Sequence, residues 1–429
     1  MRKKISLLLA VLLLLGWYQT IDSVTGTPAR IKEHIANARK LEEKEVYEDA
    51  LAEYKQAQAL GETSPEIARQ VAKIQLKLGD EGAFLSGCKS LIEHDLDEEA
   101  LRMLTDYYRA DGKPEEIVAL LKKLNKEHAD NPAVASLWNE YRGSYEELLY
   151  SYEEIAPFYG NYAVVKNEEQ YGLINAKGSR TIRAAYDDCG CYSGDYQVVP
   201  VENEGAWFYL NTKEHKKIVP DDAFEWLGVI SEDVAVVKKN GKYGYADTGL
   251  NLKTECEWEA ASAFLHGVAA VCKAGKWALI DGSFSPVTDY SYEEIKVNAA
   301  GICSNRARIF ARTKEGYIML NEAGERVGSD VYEDVVPFES GALTAVCKAG
   351  KWGFVNTDGE MALACQYEGA QAFTQGMAAV CQDGKWGYID TAGEMIIAPV
   401  FEAAYPFTSA GTAPVKNGYW YLIRLYAIS

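Results

Sequence analysis

The stretch Asp383-Gly384-Lys385-Trp386-Gly387-Tyr388-Ile389-Asp390 decides the fold, because four other stretches of the chain spell nearly the same hairpin. These are Asn240-Gly-Lys-Tyr-Gly-Tyr, Ala274-Gly-Lys-Trp-Ala-Leu, Ala349-Gly-Lys-Trp-Gly-Phe and Asn417-Gly-Tyr-Trp-Tyr-Leu. Self-similarity at a fixed period is typical of repeat architectures, and it determines the fold before any single residue does. The C-terminal two thirds of the chain is therefore predicted to be a tandem β-repeat array.

The unit is clearest from Tyr367 to Val400, where the period predicts four short strands joined by three turns. An Asn-Gly, Asp-Gly or Ala-Gly pair between apolar runs predicts a two-residue hairpin turn, whose glycine accepts a positive φ. The Asp or Asn that ends the hairpin is expected to bond its own backbone two residues on, as at Asp247, Asn356 and Asp390. The glycine after the aromatic is expected to permit a bulge or a close strand approach, as at Gly172, Gly244, Gly353 and Gly387.

The same frame fits the whole region in eight copies, about every 35 residues. A buried aromatic in each hairpin is expected to supply much of the packing of a small unit, about 150–250 Å² each. The opening aromatics are Tyr152, Tyr186, Phe224, Trp258, Tyr292, Tyr332, Tyr367 and Phe401. The hairpin aromatics are Tyr171, Trp207, Tyr243, Trp277, Tyr317, Trp352, Trp386 and Trp420.

The motif Lys-Trp-Gly-(Tyr/Phe)-(Ile/Val)-(Asp/Asn) resembles that of the WG-repeat (KWG-repeat) family of bacterial proteins, from about Tyr152 to Ser429. Four copies depart from it, at Tyr171, Trp207, Tyr317 and Trp420. The resemblance implies a β-repeat domain without established catalytic residues, so we assign none.

Four strands per copy and eight copies favour a β-propeller, with an open β-solenoid of stacked hairpins as the alternative. The last copy stops after its third strand. The segment from Glu147 to Glu153 resembles the missing fourth strand, so we expect it to complete the last blade and close the ring. The alternative is that residues 145–150 end a preceding helix.

Residues 1–27 are predicted to be a signal peptide or membrane anchor, because Met1-Arg-Lys-Lys precedes a short apolar run, Ile5 to Tyr18. Fourteen helical residues span about 21 Å, less than the roughly 30 Å of a bilayer core. The basic flank keeps the N-terminus cytoplasmic, so the rest is expected to be exported, either anchored facing outward or secreted. A buried core helix is the alternative.

Residues 28–143 change to a helical period and are predicted to form about three helical hairpins, followed by the WG-repeat domain over 144–429. The spacing of Tyr47, Ala50, Tyr54 and Ala57 resembles that of TPR units, although the Trp and Gly of the TPR consensus are missing. A generic α-hairpin stack is the alternative. Ser64-Pro65 is expected to cap and start a helix.

The formal charge of −19 argues against nucleic acid and anionic lipid as partners, because both attract basic surfaces. Membrane contact is expected through the N-terminal segment only. The five histidines include no zinc-helix pair, and we expect no metal and no cofactor. The nine cysteines are interpreted mainly as small apolar residues; the role of Cys189 and Cys191 is left open.

The recurring acid pairs could serve a glycosidase, which needs two carboxylates in one cleft. Because they fall at equivalent places in the copies, we interpret them instead as a repeated structural edge; the pairs are Glu153-Glu154, Asp187-Asp188, Glu293-Glu294 and Glu333-Asp334.

The sequence is compatible with three functions. We favour a non-catalytic extracytoplasmic binding scaffold for protein or envelope glycan. The alternatives are a passive structural protein of the cell surface and a propeller enzyme acting on polysaccharide. The degraded fifth copy holds Arg306, Arg308 and Arg312, which mark a possible interaction surface unless that copy has merely drifted.

Overall fold

The computed structural model of the protein describes residues 26–214 and 216–427. Residues 1–25 of the predicted signal or anchor segment lie outside the described ranges. The chain divides into two compact units, one ending at Ser136 and the other beginning at Leu137. In the described residues, no helix combines the length and the apolar character that crossing a membrane requires.

The first unit is helical, and the helix predicted to start at Ser64-Pro65 does so. In the second of them, Ala50, Tyr54 and Ala57 are fully buried. The Ser64 side chain accepts a hydrogen bond from the Ile67 amide, and Pro65 is the first residue of the helix that follows. The helices are α1 (26–43), α2 (Tyr47–Ala59), α3 (Pro65–Lys77), α4 (Glu81–Asp95), α5 (Glu98–Ala110), α6 (Pro114–Glu127) and α7 (Pro132–Tyr141), which crosses into the second unit.

The second unit contains eight antiparallel sheets, which we number as blades 1 to 8 in chain order. The first strand of this unit is β1 (Tyr145–Tyr152). Blade 1 contains β2 (Glu154–Ile155), β3 (Tyr162–Asn167), β4 (Gln170–Asn175) and β5 (Arg180–Tyr186). Blade 2 contains β6 (Asp188–Cys189), β7 (Val198–Asn203), β8 (Ala206–Asn211) and β9 (Lys217–Ile218).

Blades 3 and 4 have three strands each, and isolated bridges take the place of the fourth. Blade 3 contains β10 (Trp226–Ser231), β11 (Val234–Lys239) and β12 (Lys242–Asp247). Blade 4 contains β13 (Ala260–Ala261), β14 (Val268–Lys273) and β15 (Lys276–Asp281). Blade 5 contains β16 (Glu294–Ile295), β17 (Ile309–Arg312), β18 (Tyr317–Leu320) and β19 (Arg326–Tyr332).

The last three blades repeat the four-stranded pattern. Blade 6 contains β20 (Asp334–Val335), β21 (Leu343–Lys348), β22 (Lys351–Asn356) and β23 (Met361–Tyr367). Blade 7 contains β24 (Gly369–Ala370), β25 (Met377–Gln382), β26 (Lys385–Asp390) and β27 (Met395–Phe401). Blade 8 contains β28 (Ala403–Ala404), β29 (Thr412–Asn417) and β30 (Tyr419–Leu425), and its fourth strand is β1.

The pairing of β1 with β30 closes the ring and confirms the predicted β-propeller. Tyr152 lies opposite Trp420, just as Tyr367 lies opposite Trp352 in blade 6. A buried cluster then joins blade 8 to blade 1, with Trp420 packed in the same core as Val165. The alternative that residues 145–150 end a helix is therefore wrong, and so is the open β-solenoid.

The hairpin turns adopt the geometry that the sequence predicts. At Asn240 and Gly241, φ is 53° and 75°, the left-handed pair of a type I′ turn. At the end of the hairpins of blades 1 to 7 an Asp or Asn side chain accepts backbone amides of the next turn; Asp390 Oδ1 accepts from Ala392 and Glu394 at 3.0 and 2.9 Å. The same holds at Asp247 and Asn356.

Buried tyrosines join consecutive blades through hydrogen bonds that the sequence analysis missed. The Tyr209 hydroxyl donates to the Gly228 carbonyl at 2.6 Å, from blade 2 to blade 3. Tyr245 and Tyr388 donate in the same way to carbonyls of the blade that follows, both at 2.8 Å. Each satisfies the one polar atom of an otherwise apolar side chain, which a buried tyrosine requires.

The glycine after the hairpin aromatic lies against the neighbouring strand, as predicted. A Cβ atom on Gly387 would lie 2.4 Å from the Ile397 carbonyl oxygen, and the ladder between β26 and β27 bulges beside it. We therefore expect Gly387→Ala to lower the free energy of unfolding by about 2 kcal/mol or more, since backbone must move. Urea denaturation measures this difference.

Gly282→Ala is the matched control, because a Cβ atom there meets nothing within 4 Å. Equal stability of the two variants would contradict the steric account.

Candidate ligand-binding site in the propeller channel

The hairpin aromatics stabilise the blades and lie outside the channel cavity described below. In seven copies the hairpin aromatic is the direct cross-strand partner of the next opening aromatic, as in Trp386 opposite Phe401. In the second copy Trp207 instead contacts Trp226, with ring centroids 6.4 Å apart. Trp207, Tyr317 and Trp420 are buried. The expectation of a buried aromatic in every hairpin was wrong for the partly exposed Tyr171, Tyr243, Trp277, Trp352 and Trp386.

All eight rings lie near the turn end of the hairpin, and five of them stay partly exposed there. The deeper position, two residues further along the strand, holds fully buried side chains such as Phe354 and Tyr388. The motif tryptophan therefore covers the blade edge, while the residue after the motif glycine fills the core between blades.

Many of the recurring carboxylates are occupied by the hairpin turns, which supports their interpretation as a structural edge. Of the four predicted pairs, Asp187-Asp188 and Glu333-Asp334 make this bond, whereas Glu153-Glu154 and Glu293-Glu294 make no such bond in the described residues. Glu333 accepts hydrogen bonds from the amides of Ala349 and Gly350, both at 2.9 Å. The same bond joins a carboxylate to the turn in other copies: Asp187 to Glu204, Glu225 to Gly241, Glu259 to Gly275, Glu368 to Gly384 and Glu402 to Gly418.

We expect Glu333→Ala to lower the free energy of unfolding by about 1–2 kcal/mol, because two turn amides lose their charged acceptor. Chemical denaturation of the purified protein measures this. Glu255→Ala removes an exposed carboxylate for which the described residues provide no hydrogen bond or ion pair, so it should leave stability unchanged. An equal effect of both changes would mean that net charge, rather than the turn bond, is responsible.

All nine cysteines are free thiols. Cys272 and Cys347 are buried, as expected, whereas Cys381 is partly exposed. Burial raises the pKa of the Cys191 thiol to about 11, and that thiol donates to the Ala299 carbonyl at 3.3 Å. Within the described ranges, no three His, Cys, Asp or Glu side chains are grouped as a metal site requires.

The three arginines of the fifth copy do not converge. Arg308 Nε donates to the Thr357 carbonyl of blade 6 at 2.5 Å. Arg312 lies at the other end of β17, with its guanidinium 5.6 Å from the Tyr317 ring centroid. Arg306 is exposed in the loop before β17. An interaction surface at these residues stays a prediction.

The fifth copy departs from the others mainly through the loop between β16 and β17, residues 296–308, which we call the plug loop. Asn298 Oδ1 accepts hydrogen bonds from the Ala300 and Ile302 amides and holds the loop in a tight turn. Ala300 and Ile302 are buried in the core shared by blades 3 and 4, and the Gly301 carbonyl accepts from the Ala263 amide at 2.8 Å. With Cys191 of blade 2 bonded to Ala299, the loop extends across the channel.

One end of the channel contains a cavity of 410 Å³ beside the plug loop. The residues that follow the short first strands of blades 1, 6, 7 and 8 line it, so these strands face the channel. Residues 297–299 of the plug loop form another wall. Its volume falls in the range of about 300–1,000 Å³ typical of small-molecule sites.

Glu339 is the only charged side chain among the described residues that line the cavity. Burial raises the pKa of its carboxyl from 4.5 to about 7, and a hydrogen bond from Asn298 opposes this shift. Across the cavity wall, Tyr159 and Cys191 are close enough for the Glu339 charge to raise their pKa values further. The described part of the chain provides Glu339 with no ion pair.

The raised pKa makes stability depend on pH. Below about pH 4.5 the carboxyl is protonated in folded and unfolded chains alike; between that pH and about 7 only the folded chain keeps the proton, so stability falls as pH rises. We expect Glu339→Gln to be more stable than the wild type by about 1–2 kcal/mol at pH 8, and by nearly nothing at pH 4.5.

Denaturation in acetate buffer at the lower pH and in phosphate buffer at the higher pH, at equal ionic strength, measures the difference, and Glu255→Gln is the control that should follow the wild type. If the difference in unfolding free energy between the wild type and Glu339→Gln does not change with pH, the carboxyl titrates normally.

Glu339 and the plug loop were not predicted as a site. A signal exists in the spacing: Tyr292 and Tyr332 are 40 residues apart, whereas Tyr367 and Phe401 are 34 apart. The extra residues of the fifth copy build the plug loop. No pattern of residue types distinguishes Glu339 from the structural acids before the fold is known.

The fold defines an eight-bladed β-propeller built from tandem hairpin repeats. The family model described as WG containing repeat matches residues 207–243, 243–277, 352–386 and 386–420. Each matched segment runs from one hairpin aromatic to the next, and together they cover about a third of the chain. The four matches confirm WG repeats in these copies.

Solved structures with a similar chain course are distant in sequence. Dihydro-heme d1 dehydrogenase NirN in complex with DHE is 12% identical over 74% of this chain and 89% of that chain, with a TM-score of 0.42. Kluyveromyces lactis Hsv2 is 11% identical over 62% of this chain and 96% of that chain, with a TM-score of 0.36. No curated protein matches the chain in sequence.

Proposed function

We propose that the protein is a non-catalytic extracytoplasmic binding scaffold whose ligand, a protein or an envelope glycan, enters the channel cavity of the propeller. The observation that carries the proposal is the cavity itself, which has a volume of 410 Å³ and is walled by the plug loop. A repeat array that only filled space would not need a copy with an inserted loop across its channel.

The chemistry of the lining favours binding over catalysis. Glycoside hydrolysis uses two carboxyl groups about 5–10 Å apart on either side of the scissile bond. The described cavity lining offers one carboxyl, that of Glu339, beside amides and apolar groups such as Asn161, Gln371 and Phe158. Recurring carboxylates outside the cavity that accept turn amides, such as Glu333, hold the hairpin turns instead of facing a shared cleft.

The proposed location rests on the sequence of residues 1–27, with their basic start and apolar run. A chain exported by this segment would be anchored facing outward or secreted. The helical unit, which we propose to be TPR-like, would offer a second surface for protein partners, since helical hairpin stacks present extended concave surfaces.

Blocking the cavity tests the proposal. The full chain in a neutral detergent is immobilised and exposed to an envelope extract at moderate salt, and retained protein and glycan are identified. Gln371→Trp places a large ring in the cavity wall, so we expect it to lose the retained ligand by at least tenfold.

Gln382→Trp is the matched control, because it makes the same exchange at an exposed position of the same blade. A ligand retained equally by both variants would place binding outside the cavity. A folded protein that retains nothing would favour a passive structural role.

A further inference from the structure

The cavity contains a negative charge with no positive partner in the described residues. Its other lining groups are neutral: amides of Asn161, Asn298 and Gln371, and apolar side chains including Phe158. Glu339 is partly exposed, and removing even part of the water around a carboxylate is costly unless the charge is paired and hydrogen-bonded. Among the described residues, only the Asn298 side chain bonds to the Glu339 carboxylate, so the negative charge has no cationic partner there.

We propose that the cavity binds an organic cation, a primary ammonium or guanidinium group, with the Glu339 carboxylate as its counter-ion. The inference rests on the proposed binding function and specifies the chemistry of the ligand. An ammonium group carries three donors and a guanidinium five, and neither has an acceptor. The carboxylate and the amide oxygens of Asn161 and Gln371 provide acceptors for such donors.

The apolar part of the lining suits the rest of such a ligand. The cavity that contains Glu339 is also lined by the apolar side chains of Val336, Pro337 and Phe158. A lysine or arginine side chain buries an aliphatic stem while its charged end keeps polar partners. It therefore fits a cavity that has both an apolar wall and a carboxylate. The overall charge of −19 would also raise the local concentration of a cationic ligand.

Other ligand charges fit the cavity less well. An anion would meet the Glu339 carboxylate without any cationic side chain among the described lining residues. A calcium ion takes about six to eight oxygen ligands, usually with several carboxylates. The single carboxylate of the cavity, outside any group of three metal-binding side chains in the described chain, does not meet that need.

Binding should strengthen as pH rises through 7. The carboxyl of Glu339 has a pKa of about 7, so it is mostly protonated at pH 6 and mostly ionised at pH 8. The other titratable groups facing it are Tyr159 and Cys191, whose pKa values burial raises above their usual range, so both are neutral at pH 6 and at pH 8. Asp195 lies near Tyr159, on the blade 2 side.

Calorimetric titration of the full chain in phosphate buffer and neutral detergent tests the proposal. The probes are N-acetyl-Gly-Lys-Gly-amide, N-acetyl-Gly-Arg-Gly-amide and glucosamine, and the controls are the acetyl-lysine peptide and N-acetylglucosamine. We expect at least one cationic probe to bind at pH 8 at least tenfold more tightly than its neutral control. For the lysine and arginine peptides we also expect that affinity to fall by about tenfold at pH 6, where the acid is mostly protonated. Glucosamine is compared with its control near pH 7, because an amine of this type loses its proton at about pH 8.

Glu339→Gln should lose at least tenfold in affinity at pH 8 and show a flat pH profile, whereas Glu255→Gln should bind as the wild type does. Tight binding of the peptides alone would identify a protein side chain as the ligand group, and of glucosamine alone an amino sugar. Equal affinity for acetylated and free probes, no binding of any probe, or full retention by Glu339→Gln would overturn the inference.

The proposed function is judged separately. If no cation binds but Gln371→Trp still removes a neutral ligand from the envelope extract, the cavity is a binding site for another chemistry. If neither experiment shows cavity binding, both proposals fail.

Discussion

The antiparallel pairing of β1 with β30 is the constraint on which the propeller depends. Each blade is too thin to bury both faces alone, so its apolar side chains pack against the blades on either side. A linear array would leave two such faces exposed to water, which would cost about 25 cal/mol of stability per Å² of exposed apolar surface. Closing the ring removes both faces, and the cluster of Trp420, Leu422 and Val165 is where this occurs.

The repeat unit, the turn chemistry and the ring closure could all be predicted from sequence, for a common reason. Each depends on local backbone demands, such as the left-handed φ of Gly241 or the tight strand approach at Gly387, and few residue types meet them. The regular period showed that the last copy lacks a fourth strand. The strand formed by residues 145–152 could therefore be predicted to take that place, beside the third strand of the last copy.

The cavity could not be predicted, because it depends on distances between residues that the repeat treats as equivalent. No sequence motif marks the position of Glu339. This carboxylate lacks a charged neighbour because the five loops that line the cavity contribute no other charged side chain among the described residues. Burial of the hairpin aromatics was overestimated because hydrophobic character indicates that a ring packs against something, but not how much of the ring stays exposed. Phe354 and Tyr388, deeper in the sheet, show the difference.

The plug loop has a consequence for how the gene can change. Because the copies share one frame, duplication or deletion of a repeat would add or remove a whole blade. Here the loop of blade 5 must reach blade 2 at Cys191 while also lining a cavity with blades 6, 7, 8 and 1. A ring of seven or nine blades would change the channel diameter and shift these partners, so the interior loop fixes the copy number that the repeats themselves would leave free.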